Sequence, residues 1–166
     1  MLQSSSPTAL EVCLSPNRKT RTDIIRIAEG TDSLVVSLDR GVVGDHNDSW
    51  HRVRMEISSD FVGGHLSFMV ARSDILGWSE FLERLGREPD LLDADEGGPP
   101  LVVWPYQDRT PYFQIYPEDP LRVEVVGSPM SRVRVSLSLD IDVDDFIRSG
   151  RKLIEEAVRE LEIGGS

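Results

Sequence analysis

Between residues 132 and 141 the chain alternates without a break. Val133, Val135, Leu137, Leu139 and Ile141 fall on one side, and Arg132, Arg134, Ser136, Ser138 and Asp140 on the other. Successive side chains of a strand point to opposite faces, so this period of two predicts a strand buried on one face and wet on the other. The same spacing predicts strands over His51 to Ile57, over Leu121 to Val126, and around Leu34, Val36 and Leu38 and then Leu66, Phe68 and Val70. Asp23 to Ala28, Leu101 to Trp104 and Tyr112 to Tyr116 are shorter candidates. Short breaks containing Gly, Asn, Asp or Pro separate many of these runs, as hairpins require. Strands wet on one face pair antiparallel, whereas buried parallel strands read as continuous aliphatic runs. Phe61-Val-Gly-Gly-His65 reads as a hairpin or a bulge.

Two segments switch to helical spacing. Ile75, Trp78, Leu82 and Leu85 make one apolar stripe with Phe81 beside it, Ser73 as N-cap, Asp74 at the positive end of the dipole and Gly86 as terminator. A second helix starts at Asp142 or Asp144 and runs to about Glu162, with Phe146, Gly150, Leu153, Ala157 and Leu161 inward and Ile154 alongside. Glycine costs about 1 kcal/mol relative to Ala inside a helix, so Gly150 implies a close approach, here to the sheet. No internal repeat is visible. The pattern predicts one α+β domain over residues 23–163, preceded by a flexible leader at 1–22. Its architecture is a curved antiparallel sheet of about 7–9 strands with two helices packed on the apolar face.

Charge narrows the choice of partner. The 166 residues carry 29 Asp+Glu against 18 Lys+Arg, a net −11, with 39% hydrophobic residues. That balance suits a folded domain and opposes nucleic acid and anionic membranes, both polyanions. It favours a protein partner with a basic surface. No apolar run approaches the roughly 18 residues of a membrane span, and Met1 to Ser6 lack a signal-peptide pattern, so a cytoplasmic location is expected. A single cysteine, Cys13, excludes an intramolecular disulfide framework and a multi-cysteine zinc site.

Candidate chemistry is sparse. His46, His51 and His65 match no zinc spacing, and Asp140-Ile-Asp-Val-Asp-Asp145 lacks the central Gly of a calcium loop and suits a helix N-terminus instead. There is no nucleophile elbow, P-loop or dinucleotide fingerprint, so no catalytic residue, metal or cofactor is assigned and a non-catalytic role is favoured. Two surface constellations stand out. Between Asp90 and Asp119 seven acids face Arg109 alone. Asp90, Asp93, Asp95 and Glu96, with Trp104, Tyr106, Tyr112 and Tyr116, are the expected partner-binding residues, since Trp and Tyr bring large rigid area with a polar edge. Tyr112 and Tyr116 are expected to point outward if Phe113 and Ile115 are buried. The alternative is a small-ligand protein or enzyme in which Arg52, Arg54, Arg122, Arg132 and Arg134 line a sheet concavity and bind an anion.

Ile24 to Gly30, Ser33-Leu-Val-Val-Ser-Leu38, Phe61-Val-Gly-Gly-His-Leu66 and Ser73-Asp-Ile-Leu-Gly-Trp-Ser-Glu-Phe-Leu82 resemble a group of small, largely actinobacterial, uncharacterised proteins. The pattern is also similar to WapI-type immunity proteins, which neutralise toxins secreted by competing bacteria. It covers most of residues 23–160; Asp74 and Trp78 match its helix, while Ile75 stands where Leu is usual. The resemblance implies an immunity or antitoxin-like protein that binds and occludes a basic partner. It carries over no catalytic residue.

Overall fold

The computed structural model describes residues 21–39, 50–93, 97–106, 108, 111–127 and 134–163. Cys13, His46, Asp95, Glu96 and Arg132 lie outside them, as does the expected leader up to residue 20. The order is β1 (Arg21–Glu29), β2 (Asp32–Asp39), β3 (Trp50–Ser58), β4 (Gly63–Ala71), α1 (Arg72–Arg87), a 3-10 turn (Pro89–Asp93), β5 (Val102–Trp104), β6 (Tyr112–Tyr116), β7 (Leu121–Val126), β8 (Arg134–Leu139) and α2 (Val143–Ile163).

The α+β class holds, but the single curved sheet does not. The strands form two four-stranded antiparallel meanders, β1-β2-β3-β4 and β5-β6-β7-β8, each followed by a helix. Alternation tells which face of a strand is buried and nothing about its lateral neighbour. Here β4 runs straight into α1, and the chain returns through the helix and the turn to a strand that pairs with β6.

In the first sheet, Leu38–Val53–Phe68 and Val36–Met55–Leu66 form cross-strand apolar rows, with Leu34 opposite Ile57 in the next row. β1 joins through a bulge: Asp23 faces Ser37, yet Ile25 faces Val36, so Ile24 and Ile25 are both fully buried. A bulge sets two residues against one and shifts the phase of the alternation. In the second sheet Phe113, Ile115, Val123, Val125, Leu137 and Leu139 face the core. One apolar core takes residues from both sheets and both helices.

Helix α1 starts earlier than Ser73. Its N-cap is Ala71, which offers no side-chain acceptor, and the Asp74 carboxylate accepts the Ala71 N–H at 2.7 Å. Gly86 does not end it; the Glu88 N–H closes the last turn on the Arg84 carbonyl at 2.9 Å. At α2 the cap is Asp142, whose Oδ1 accepts the Asp145 N–H at 2.9 Å. The buried stripe of α2 centres on Ile147, Gly150, Ile154 and Ala157, while Phe146, Leu153 and Leu161 are half-buried along its margins.

The close approach at Gly150 is to α1 rather than to a sheet. A Cβ there would meet Leu82 Cδ1 at 2.8 Å and Cδ2 at 3.2 Å. Leu82 is itself fully buried, so it has little room to yield. Gly150→Val therefore lowers unfolding free energy by roughly 2 kcal/mol or more, despite removing a helix glycine, because overpacking outweighs the propensity gain. Urea unfolding followed by circular dichroism measures the loss, and an unchanged midpoint would contradict the helix crossing.

Candidate functional site

Where the end of α1, the 3-10 turn, the second sheet and the approach to α2 converge, they leave a cleft of about 190 Å³. Three local features shape it. The Leu91 N–H bonds to the Glu88 carbonyl at 3.1 Å and starts the 3-10 turn, which carries Leu92 and Asp93 to the cleft wall. The β6–β7 connection holds Glu118 and Asp119 between Pro117 and Pro120, with the Glu118 N–H on the Tyr116 carbonyl at 2.8 Å. The end of β8 is tied down where the Asp140 N–H bonds to the Glu29 carboxylate at 2.6 Å.

The lining divides by chemistry. Phe81, Leu85, Leu92, Ile115, Leu121, Leu139, Ile141, Val143 and Phe146 are apolar; Asp93, Glu118, Asp119 and Asp140 are acidic, and none of the described lining residues is basic. Such a cleft can take apolar groups and attract cations around them.

Glu118 also belongs to a network on the solvent face of the second sheet. The Arg122 Nε sits 3.1 and 3.0 Å from its two carboxylate oxygens, and the Arg122 guanidinium lies 3.8 Å from the Tyr116 ring centroid. Arg122 also pairs with Glu124 at 3.1 Å, and Glu124 accepts from Arg134 at 3.0 Å and from Gln114 at 2.9 Å. The Glu118 hydrogen bond chiefly, with further help from the surrounding negative charge and against the opposing effect of burial, raises the Arg122 pKa above its ordinary value. Two arginines and two glutamates neutralise one another here.

The four expected arginines among the described residues do not gather. Arg52 and Arg54 lie on β3 of the first sheet, where Arg54 approaches Glu56 at 3.5 Å; Arg122 and Arg134 lie on the second sheet, both bound to Glu124.

The expected partner-binding residues also separate. Asp90 and Asp93 are exposed on the 3-10 turn, and Tyr106 is exposed. Trp104 is only 2% exposed and Tyr112 is buried, which corrects the expectation that both present surface. The Trp104 ring stacks at 5.7 Å from Phe113, and its indole N–H donates to the Asp74 carbonyl at 2.8 Å. Tyr112, Gln114 and Tyr116 do share the face opposite Phe113 and Ile115, but Tyr112 and Gln114 are buried and Tyr116 is half-buried. The cleft's apolar floor was not selected from sequence. Its residues read as the core faces of separate elements, although Glu118 and Asp119 already counted toward the acidic excess. Among the described residues no group of three His, Cys, Asp or Glu is placed to hold a metal ion. No helix there is long and apolar enough to cross a membrane.

Residues 22–162 match a family of unknown function, DUF5959. The chain belongs to that family. The DUF5959 match spans both sheets, both helices and every residue of the cleft. Neither a curated protein nor a solved structure matches the chain.

The assignment of Trp104 to the core has a measurable consequence for this DUF5959 protein. Trp78 is equally buried, but its indole N–H has no hydrogen-bond partner. Trp104→Phe and Trp78→Phe both remove packing. Only the first also breaks a hydrogen bond, so it costs about 1 kcal/mol more in a denaturant titration. Equal losses would mean that the bond to Asp74 contributes nothing.

Proposed function

We propose that this DUF5959 protein is a non-catalytic bacterial binding protein whose cleft receives a basic, partly apolar segment of a protein partner, which it occludes in the manner of an immunity or antitoxin-like protein. The observation that carries the reading is the cleft's composition: an apolar floor rimmed by Asp93, Glu118, Asp119 and Asp140, with no basic residue among the described lining. Size supports it as well. At about 190 Å³ the cleft is smaller than the ~300–1,000 Å³ usual for small-molecule and cofactor sites, and suits one or two side chains of a docked segment. The acids steer a cationic partner to the rim, and the floor supplies the desolvated contact that holds it. A net charge of −11 disfavours nucleic acid and anionic membrane as the partner. The resemblance to WapI-type immunity proteins supports the occluding role.

Affinity capture from the source bacterium, with the full chain as bait, tests the reading at low and high salt. The expected result is one stoichiometric basic protein, released by salt and lost when the bait carries Asp93→Lys and Asp119→Lys. Neither position has an ion pair among the described residues, so the variant folds and its melting temperature serves as the control. Absence of a stoichiometric protein, or its full retention by the double variant, would sink the proposal.

A further inference from the structure

Two antiparallel sheets have four outer edges, and three of them are managed. β1 is crossed by α2, with Thr22 bonded to Glu160 near one end and Glu29 bonded to the Asp140 N–H near the other. β5 is three residues long, and β8 carries the charged Arg134. β4 differs. It is nine residues long, Gly63-Gly-His-Leu-Ser-Phe-Met-Val-Ala71, with no charged residue and no proline, and no described strand pairs with its outer side. Long, uncharged edges are templates for further strand pairing, which proteins ordinarily block with charge, proline or a cover.

The surroundings of this edge are apolar. Of the six large hydrophobic side chains that are exposed among the described residues, Trp50, Phe61, Val62 and Met69 lie on the β3–β4 hairpin and Leu76 on the following helix. Phe61, at the hairpin tip, is 95% exposed. On the core face, Leu66 and Phe68 of β4 are only half-buried, whereas their cross-strand neighbours Met55 and Val53 on β3 are fully buried. The sheet ends before its apolar face is closed.

We propose that β4 is a homodimer interface, pairing antiparallel with β4 of a second copy to form a continuous eight-stranded sheet. Three features select a second copy as the occupant. From Trp50 to Ala71 the charges are Arg52, Arg54, Glu56 and Asp60, which cancel, so this hairpin can meet itself although the chain as a whole is strongly negative. A two-fold axis at Leu66 directs the acidic tip at Asp60 of one copy toward Arg72 of the other, a half-exposed guanidinium that lies 3.8 Å from Glu162. The same axis sets Phe68 and Met69 opposite Gly64 and Gly63, and the space above both glycines is open. An interface that fits itself through one two-fold operator is the commonest route to a closed oligomer. It shares no residue with the acidic cleft.

Sedimentation velocity of the full chain, from low to high micromolar concentration and with reductant present because of Cys13, reads the association directly. The expected result is a reversible dimer. Ser67→Lys places a guarding charge on the exposed face of β4, opposite His65 of the second copy and diagonal to that copy's own Lys substitution. It weakens dimerisation roughly tenfold or more while leaving the melting temperature of dilute protein unchanged. If Ser67→Lys does not fold, Phe61→Ser at the solvent-exposed tip decides, and it too weakens association. A monomer at every concentration overturns the proposal, as does a dimer that the folded variants leave intact.

Discussion

Two sheets that share no backbone ladder need another bond between them, and in this protein it is a run of aromatic rings. Phe68 of the first sheet meets Trp104 of the second at 6.3 Å, Trp104 meets Phe113 at 5.7 Å, and Phe113 meets Trp78 of α1 at 5.8 Å. Trp78 then contacts Phe81 at 5.2 Å and Phe146 of α2 at 6.2 Å. Each contact contributes on the order of 0.5–1.5 kcal/mol beyond its buried area, so the run ties all four layers together without a single inter-sheet ladder. Trp78 sits at its junction. Its unpartnered indole N–H, a group costing about 1–3 kcal/mol when left unpaired, is accepted in exchange for ring contacts on three sides.

The same rings explain why the cleft has a shape. Phe81 and Phe146 both pack against Trp78 and both line the cleft floor. The floor is therefore the outer surface of the core rather than a loop assembly, and a docked side chain would meet a surface already in place. The acids arrive differently, on the 3-10 turn, the β6–β7 connection and the end of β8, which are the segments that leave the layers. Rigid apolar floor and loop-borne polar rim is the usual division of labour in recognition sites.

How far the sequence could be read depended on whether the information was local. Val135, Leu137 and Leu139 alternate on one strand, and the alternation survives unchanged in β8. In β1 the bulge at Ile24 and Ile25 broke the phase, which is why that strand read as a short candidate although it spans Arg21–Glu29. Tyr112 was assigned to the surface by the correct face argument, yet it is buried. Which face a residue takes is encoded by its neighbours in sequence; whether that face is covered is decided by elements far away in the chain. Trp104 is covered for a related reason: at the end of a short strand and just before Pro105 it looks like surface until Asp74, thirty residues earlier, supplies its acceptor. The doubled order of four strands and a helix left no trace of a repeat in the residues, because a meander constrains spacing and polarity far more than identity.

Charge placement separates the two surfaces more sharply than shape does. The β3–β4 hairpin is neutral over Trp50 to Ala71, and the solvent face of the second sheet cancels its charges through Glu124 and Glu118. The cleft, by contrast, gathers four carboxylates with no base among its described lining, and among the described residues Glu118 alone of the four has an arginine at hydrogen-bond distance. An excess of negative charge spread evenly would oppose every encounter between copies of the chain, since like charges repel over about a Debye length of ~8–10 Å. A neutral hairpin avoids that repulsion locally, while the rim places four of the carboxylates around one apolar floor. The proposed pairing of two copies and the proposed docking of a basic segment would therefore use separate surfaces, one neutral and one acidic.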